Sequence, residues 1–246
     1  MNKQAGFSLL ELLLVLAASS TFLFAVYQLF FHQQQQYHLQ QDLLQTQENS
    51  RLALHILKNN IETAGEAGCG SLENLILHDH VGHHPRAIYE ENSKIYIEKA
   101  SYERSNLSQA MGFTYEPIYI TQKNLFESGD ILLISDCTHG DLFQVTDVNG
   151  HVLQHNGLSR MYGMDAIVAR WQVDTFYFKS GLYQKTLLPE KSAIELVSGI
   201  EDVDVRYGIL KNNTPVFLIA EDISDWDSVR GVAFKHFNVV LYNAAR

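Results

Sequence analysis

Basic side chains are scarce in this chain. Its 246 residues include 18 Lys and Arg against 28 Asp and Glu, which gives a formal net charge of -10 at pH 7. Because a phosphate backbone attracts basic surfaces, this balance argues against a nucleic-acid partner. It argues equally against a peripheral protein that electrostatics holds on anionic lipid. An acidic balance is compatible with an exported domain.

Cysteine is also scarce. The chain has only Cys69 and Cys137, and they lack CxxC spacing, which excludes a disulfide-rich scaffold. In an oxidising compartment the two would form a single bridge. The alternative is two unpaired buried thiols, because Cys often packs as a small hydrophobe.

Familiar catalytic motifs are absent from the sequence. It contains no GxSxG, no P-loop, no Gly-rich dinucleotide turn and no Cys–His arrangement at a telling spacing. We therefore nominate no catalytic residue and no cofactor, and we predict that the chain is not an enzyme. Hydrophobic residues make up 46% and charged residues 19%, which predicts one or two folded domains with a sizeable core.

Charge is missing altogether between Leu12 and Phe31. This stretch has about the 20 residues that a helix needs to cross a bilayer. It is longer than the apolar region of a secretory signal, and no A-x-A motif ends it. Lys3 is the only basic side chain before Arg51, so the positive-inside rule predicts a cytoplasmic N-terminus and places the remainder across the membrane.

One acidic residue, Glu11, stands at the start of this apolar run. An acidic side chain at a helix centre costs roughly 2.5 to 3.5 kcal/mol, and each Leu, Phe or Val returns a few tenths, so the run still inserts. Glu11 is either hydrated near the interface or paired with a functional partner inside the membrane.

The residues around Glu11 favour a partner. A short polar leader, Met1 to Gly6, is followed by Phe7-Ser8-Leu9-Leu10-Glu11 and then by the apolar run. This pattern closely resembles the type IV prepilin signal. The resemblance implies that a dedicated prepilin peptidase cleaves between Gly6 and Phe7 on the cytoplasmic side and N-methylates Phe7. Glu11 would then be the fifth residue of the mature protein.

Cleavage after Gly6 would create a positive amine at Phe7, at the end of an apolar helix. An unpaired charge in a low-dielectric surrounding is costly, whereas opposite charges at contact distance attract strongly. The carboxylate of Glu11 in one subunit can therefore neutralise the amine of its neighbour as helices pack into a filament. This pairing would set the axial register, so we predict a role for Glu11 in filament assembly.

Helical character continues beyond the apolar run. The chain has no Pro and no Gly between Phe31 and Gly65, and it is rich in Gln, Leu, Glu and Ala. We predict one helix from Phe7 to about Ala64, with Gly65 and Gly68 as its stop signal. Helical spacing predicts one apolar face at Leu54, Leu57, Ile61 and Ala64, with Leu43 and Leu44 as a possible continuation. The alternative for the Gln-rich stretch is a flexible low-complexity linker.

The remainder of the chain reads as strands. Runs of β-favouring residues occur at 94–99, 117–121, 130–137, 141–155, 169–186, 193–210 and 229–243. Asn149-Gly150 and Lys179-Ser180-Gly181 predict hairpin turns. Because no βαβ alternation is present, an antiparallel sheet is favoured. The predicted fold class is α+β, with a long N-terminal helix packed on a β-rich, mainly antiparallel, pilin-like head.

These features divide the chain into four predicted segments. They are the leader removed on processing (1–6), the transmembrane and assembly helix (7–31), the projecting amphipathic helix (32–66) and the β-rich globular head (67–246).

Three further segments resemble PilW-type minor pilins. They are "LQTQENSRLALHILKNNIETAGEAGCG", "ISDCTHGDLFQVT" and "LVSGIEDVDVRYGI". The resemblance implies a structural subunit that helps prime type IV pilus assembly. Its expected partners are other minor and major pilins, the prepilin peptidase and the pilus assembly platform. It would pass once through the inner membrane with a periplasmic head and then enter the fibre at the cell surface. In that compartment the resemblance favours a Cys69–Cys137 bridge.

Other functions remain open at this point. A minor pseudopilin of a type II secretion system shares the leader, the fold and the assembly logic. An adhesive module displayed on a fibre overlaps the pilin interpretation. A protein of another class, a signal-anchored periplasmic metal-dependent enzyme, would use the His-rich stretch as its metal site.

Two clusters of potential metal ligands bear on that last alternative. Four imidazoles and one carboxylate lie close together, at His78, Asp79, His80, His83 and His84. They could bind Zn²⁺ or Cu²⁺, but the stretch has no HExxH spacing and no obvious carboxylate base, so we predict a solvated polar loop without metal. The acidic residues Glu201, Asp202 and Asp204 suggest Ca²⁺, but strand alternation would spread them over both faces.

Overall fold

The computed structural model describes residues 9–200, 203–211, 214–234 and 239–242. The chain forms two compact units, Met1–Glu48 and Asn49–Arg246. Helix α1 spans Leu9–Glu62, so the predicted helix ends within two residues of its expected end. Its predicted start at Phe7 lies outside the described residues. The Gln-rich stretch is helical and is not the flexible linker considered as an alternative.

Two glycines turn the chain away from α1, as predicted. Gly65 and Gly68 have φ values of +73° and +86°, in the left-handed region that a side chain disfavours. The Gly65 N–H donates to the Glu98 carbonyl over 2.7 Å, and a Cβ at Gly65 would stand 2.9 Å from the Cβ of Ala87. The exit from the helix therefore packs directly against the sheet.

The last turns of α1 bury one face in the core of the second unit. Ala53, Leu57, Ile61 and Ala64 are fully buried, at the three- and four-residue spacing of one helical stripe. They pack against a sheet face that carries the buried residues Ile95, Ile97, Phe176 and Leu182. Leu54 is only partly buried, so the face is centred one residue earlier than predicted. Leu43 and Leu44 are exposed and do not continue it.

Ten strands form the main sheet. They are β1 (Ile76–Asp79), β2 (Ile88–Glu91), β3 (Lys94–Asn106), β4 (Ile118–Tyr119), β5 (Ile131–Ser135), β6 (His139–Asn149), β7 (Val152–His155), β8 (Ile167–Phe178), β9 (Gly181–Leu188) and β10 (Ile194–Ser198). Strand β8 is central: it pairs with β3 along one edge and with β5 and β9 along the other. All these pairings are antiparallel, and the α+β fold is confirmed.

The pairing of β1 with β6 is parallel, with Ile76 opposite His139. The sequence did not predict β1 or β2, because each has only four residues and β1 runs into the histidine-rich stretch at His78. The mainly antiparallel character of the head nevertheless holds.

A second sheet of four strands completes the head. Its strands are β11 (Val205–Lys211), β12 (Thr214–Leu218), β13 (Val229–Phe234) and β14 (Val239–Tyr242), in the order β12-β11-β13-β14. Tyr207, Val232 and Phe234 from this sheet enter the same core cluster as the end of α1. Short 3-10 helices lie at Leu72–Asn74, Ala220–Asp222 and Trp226–Ser228.

Both predicted hairpins are present. Asn149 pairs with Val152, so the β6–β7 turn is Gly150–His151, one residue later than predicted. Gly150 has a φ of +62°, which explains why glycine marks the position. The β8–β9 hairpin turns through residues 179–181 as predicted, with Phe178 opposite Leu182.

Candidate assembly interface

The first part of α1 is an exposed apolar surface. Every residue from Leu9 to Phe31 is exposed, and the large hydrophobic side chains point to all sides of the helix. By length and composition, α1 is the one helix in the described part of the chain that is able to cross a membrane. A helix that is hydrophobic all round requires lipid or other protein around it.

The hydroxyl groups in this segment are suited to an apolar surrounding. Ser19, Ser20 and Thr21 each donate to a backbone carbonyl three residues earlier in the helix, over 2.9 to 3.0 Å. In lipid, polar groups must be satisfied within the segment, because no water is present to replace the bond. These three residues therefore do not interrupt the span.

Glu11 differs from these hydroxyl groups. It is the only charged residue between Leu9 and Phe31, and it lies in the first turn of α1. Its carboxylate is exposed and has no hydrogen-bond or ion-pair partner among the residues that the structure describes. A negative charge in a first turn is favourable towards the helix dipole, but only by about 0.3 to 1 kcal/mol. Gly6 and Phe7 lie outside the described residues, and their roles stay predictions.

The cysteine pair lies in the head. The structure joins Cys69 to Cys137 with a Cα–Cα distance of 5.0 Å, and the described residues include no free cysteine. Cys69 follows the exit of α1, and Cys137 lies in the turn between β5 and β6. The Ser135 hydroxyl donates to the Ala67 carbonyl over 2.7 Å at the same place. This pairing fastens the helix exit to the main sheet.

The histidine-rich stretch is exposed at His78, His80 and His84, as expected of a solvated stretch, but two of its imidazoles bond to buried carboxylates, which the sequence did not predict. His83 Nε2 donates to Glu98 over 2.9 Å, and the Trp171 indole N–H donates to the same carboxylate oxygen over 3.0 Å. Glu98 is only 1% exposed. The hydrogen bond to Glu98 raises the pKa of His83 against the opposing effect of burial.

A second imidazole, that of His80, contacts a second buried carboxylate, that of Asp141. His80 Nε2 lies 2.6 Å from Asp141, which has no exposed surface. Asp141 also accepts from Ser159 Oγ and from the Tyr162 hydroxyl, over 2.8 and 2.6 Å. Burial and the bond to Asp141 raise the pKa of Tyr162. His80 and His83 therefore hold residues 80–87 against the sheet at two points.

The remaining members of the stretch do not converge on a common centre. Asp79 accepts from the backbone N–H groups of Val81, Gly82 and His84, which shapes the turn. These donors lower its pKa although burial acts in the opposite direction. Among the described residues, no group of three or more His, Cys, Asp or Glu side chains is placed to hold a metal ion.

The acidic cluster near residue 200 is described only in part. Asp204 lies 3.4 Å from Arg206, with which it forms an ion pair. Glu201 and Asp202 are outside the described residues.

The sequence analysis missed four buried charged residues, Glu98, Lys99, Asp141 and Asp174. One signal was available for Lys99. Strand alternation places it on the same face as Ile95 and Ile97, and a lysine in phase with two isoleucines indicates a buried cation. The three carboxylates gave no comparable signal.

Comparison with known proteins bears on the N-terminal segment. The family described as "Prokaryotic N-terminal methylation motif" matches residues 1–27, which include Gly6, Phe7 and Glu11. No curated protein and no solved structure matches the chain. The motif supports a type IV pilin-like protein, a class that comprises pilins and pseudopilins and is typically structural. It implies processing by a prepilin peptidase and assembly with other pilins, and together with the apolar helix it suggests anchoring in the inner membrane.

Proposed function

We propose that this protein is a minor pilin of the PilW type, which packs through α1 into a type IV pilus and helps prime its assembly. The observation that carries the proposal is the lone carboxylate of Glu11. Among the described residues this carboxylate has no ion-pair partner, and it lies on an exposed apolar helix within the segment that matches the methylation motif.

The proposed maturation begins at the leader. The prepilin peptidase cuts between Gly6 and Phe7 on the cytoplasmic side and methylates the new amine of Phe7. The leader comprises residues 1–6, the membrane and assembly helix 7–31, the projecting helix 32–66 and the periplasmic head 67–246. Removal of the leader leaves a positive charge at the end of an apolar helix, where desolvation makes it costly.

Glu11 then supplies the opposite charge to a neighbouring subunit. Two unit charges about 4 Å apart attract by roughly 4 kcal/mol at the effective dielectric of a protein surface, and by more where water is excluded. Apolar contacts alone would allow one helix to slide along the axis of its neighbour. The attraction between two charges is strongest at only one position along that axis. The pair therefore fixes the axial register between subunits.

A specific substitution tests this role. Glu11→Ala should leave membrane insertion and leader cleavage intact, because it removes a charge from an apolar span, and should strongly reduce the amount of protein in sheared filaments. Asp42→Ala, which removes an exposed acidic residue from the same helix, is the matched control and should assemble normally. Wild-type levels of the Glu11→Ala protein in filaments would contradict the docking role.

The closest alternative is a minor pseudopilin of a type II secretion system, because the same N-terminal motif supports it. Deletion of this protein, followed by measurement of both surface pili and secreted enzymes, distinguishes the alternatives. Loss of this protein should abolish surface pili and leave the secreted enzymes unchanged if it is a pilin. The reverse result would assign it to secretion.

A further inference from the structure

A buried lysine joins the end of α1 to the main sheet. Lys99 lies on β3 in phase with Ile95 and Ile97 and is only 7% exposed. Burying an ammonium group is costly unless it is paired with an anion. Among the described residues, however, Lys99 forms no ion pair, and its hydrogen bonds go to neutral groups. This arrangement is unusual for a lysine that serves only structure.

The neutral partners of Lys99 are two side chains of the final turns. Its Nζ donates to Asn60 Oδ1 over 3.0 Å and lies 2.8 Å from Thr63 Oγ1. Asn60 Nδ2 donates in turn to the Ile56 carbonyl over 2.9 Å. This bond fixes the orientation of the amide, so that its carbonyl group faces the lysine amine. An amine and an amide carbonyl are thus held in contact in a site that excludes most water.

Two carboxylates act on this lysine from a greater distance. Asp174 on β8 is 1% exposed and lies on the same sheet face, because Ile97 pairs with Asp174 and Lys99 pairs with Gln172. Glu66 follows the end of α1. Burial lowers the pKa of Lys99, and the two carboxylates only partly oppose that effect. The neutral amine, which is the nucleophilic form, is therefore more accessible than in an exposed lysine.

We propose that Lys99 and Asn60 react to form an intramolecular amide bond between β3 and α1. The neutral Nζ attacks Cγ of Asn60, and a new C–N bond forms there. The bond between Cγ and Nδ2 breaks, and that nitrogen leaves as ammonia. No oxidation or reduction occurs. The proton that Nζ loses passes to the departing nitrogen, so proton and charge balance without a further reactant.

Proximity is the main contribution of the fold to this reaction. Amide exchange between free side chains is very slow, but well-oriented intramolecular groups reach effective concentrations of about 10⁵ M or more. The packing of Leu57 and Ile61 fixes α1 beside β3, and the amide of Asn60 is oriented by its own helix. The product would tie α1 to the sheet close to the second covalent link, Cys69–Cys137.

Peptide mapping of the purified full-length protein tests the proposal. After reduction of the disulfide and digestion with trypsin, we expect residues 59–86 joined to residues 95–104, at a mass lower by one ammonia than the sum of the two peptides. Trypsin does not cleave after an acylated lysine, so the bond between Lys99 and Ala100 should stay intact. Complete recovery of a free peptide 95–99 from the folded wild-type protein would overturn the proposal.

Three variants make the test specific. Lys99→Arg keeps a buried cation with hydrogen-bond donors and should abolish the joined species. Asn59→Ala alters the exposed neighbour of Asn60 and should retain it. Asp174→Asn removes a carboxylate that favours the charged form of Lys99, so the joined species should still form. A joined species in the Lys99→Arg protein would show that the link involves other residues and would contradict the assignment.

Discussion

At the scale of single residues, the buried carboxylates of Glu98 and Asp141 differ from the exposed carboxylate of Glu11 in their hydrogen-bond partners. Glu98 and Asp141 are enclosed in the head, and each accepts hydrogen bonds from at least two side chains. Glu11 is exposed and has no partner among the described residues. Buried charge is stable only when it is paired, so the first two serve the fold. Glu11 is left for a contact with another molecule.

The His83–Glu98 pair should make head stability depend on pH. Because the pKa of His83 is raised in the folded state, its contribution is fully present below the unfolded value of about 6.5 and is lost as pH rises through the folded value. We expect His83→Gln to lower the free energy of unfolding by about 1 to 3 kcal/mol near pH 5 and by clearly less near pH 9. Urea unfolding at the two pH values measures the difference.

His84 provides the matched control for that measurement. Its side chain is exposed, and its imidazole lies 4.0 Å from Asp79. His84→Gln should change stability by less than about 0.5 kcal/mol at either pH. An effect of His83→Gln that is equal at both pH values would show that the imidazolium form contributes nothing.

At the scale of elements, the final turns of α1 contribute to the core through one stripe. Leu57 is 0% exposed and Leu52 is 47% exposed, although both are leucines on the same helix. Leu57→Ala should destabilise the head by about 2 to 5 kcal/mol, because it leaves a cavity between helix and sheet. Leu52→Ala should cost less than about 1 kcal/mol. Chemical denaturation of the two variants compares them, and equal losses would contradict the described packing.

The disulfide should stabilise the head through its long loop. Cys69 and Cys137 are separated by 68 positions, and on the chain-entropy model a loop of this size contributes roughly 4 kcal/mol. The double substitution Cys69→Ser and Cys137→Ser should therefore lower the urea midpoint strongly under oxidising conditions. A reductant should lower the wild-type midpoint towards the same value and leave the variant unchanged. Two titratable thiols in the denatured, unreduced wild-type protein would remove the bridge from this account.

Much of the element pattern was predictable because local signals coincide with the fold. The absence of Pro and Gly up to Gly65 predicted the end of α1 within two residues. Turn residues predicted both hairpins, although the β6–β7 turn is shifted by one position. The parallel pairing of β1 with β6 was not predictable, because it joins segments about 60 residues apart in sequence, and no local pattern encodes such a contact.

Residues of the candidate site could be predicted from the sequence only where they lie close together along the chain. The leader motif and Glu11 are consecutive in sequence, so they were found. The partners of His83 and His80 were missed because Glu98 lies on β3 and Asp141 lies on β6. The burial of these two carboxylates depends on which strands pair with β3 and β6 in the folded sheet. The histidine-rich stretch looked solvated because its composition is polar. Composition does not show which carboxylates it faces.

At the scale of the whole molecule, the chain combines two kinds of surface. The head is a folded unit with its own core, whereas the first part of α1 exposes an apolar surface that needs lipid or neighbouring helices. A protein that first sits in a membrane and then enters a filament requires both. In the proposed function, α1 moves from lipid into the filament. The charge of Glu11 and the amine that processing creates then determine how α1 packs against its neighbours.

Mass spectrometry of the N-terminal peptide of the mature protein tests the central claim most directly. The account predicts that the peptide begins at Phe7, carries one methyl group on its amine and is absent from cells that lack the prepilin peptidase. A mature protein that retains Met1 to Gly6 in wild-type cells would contradict the account. In that case no new amine exists for Glu11 to neutralise.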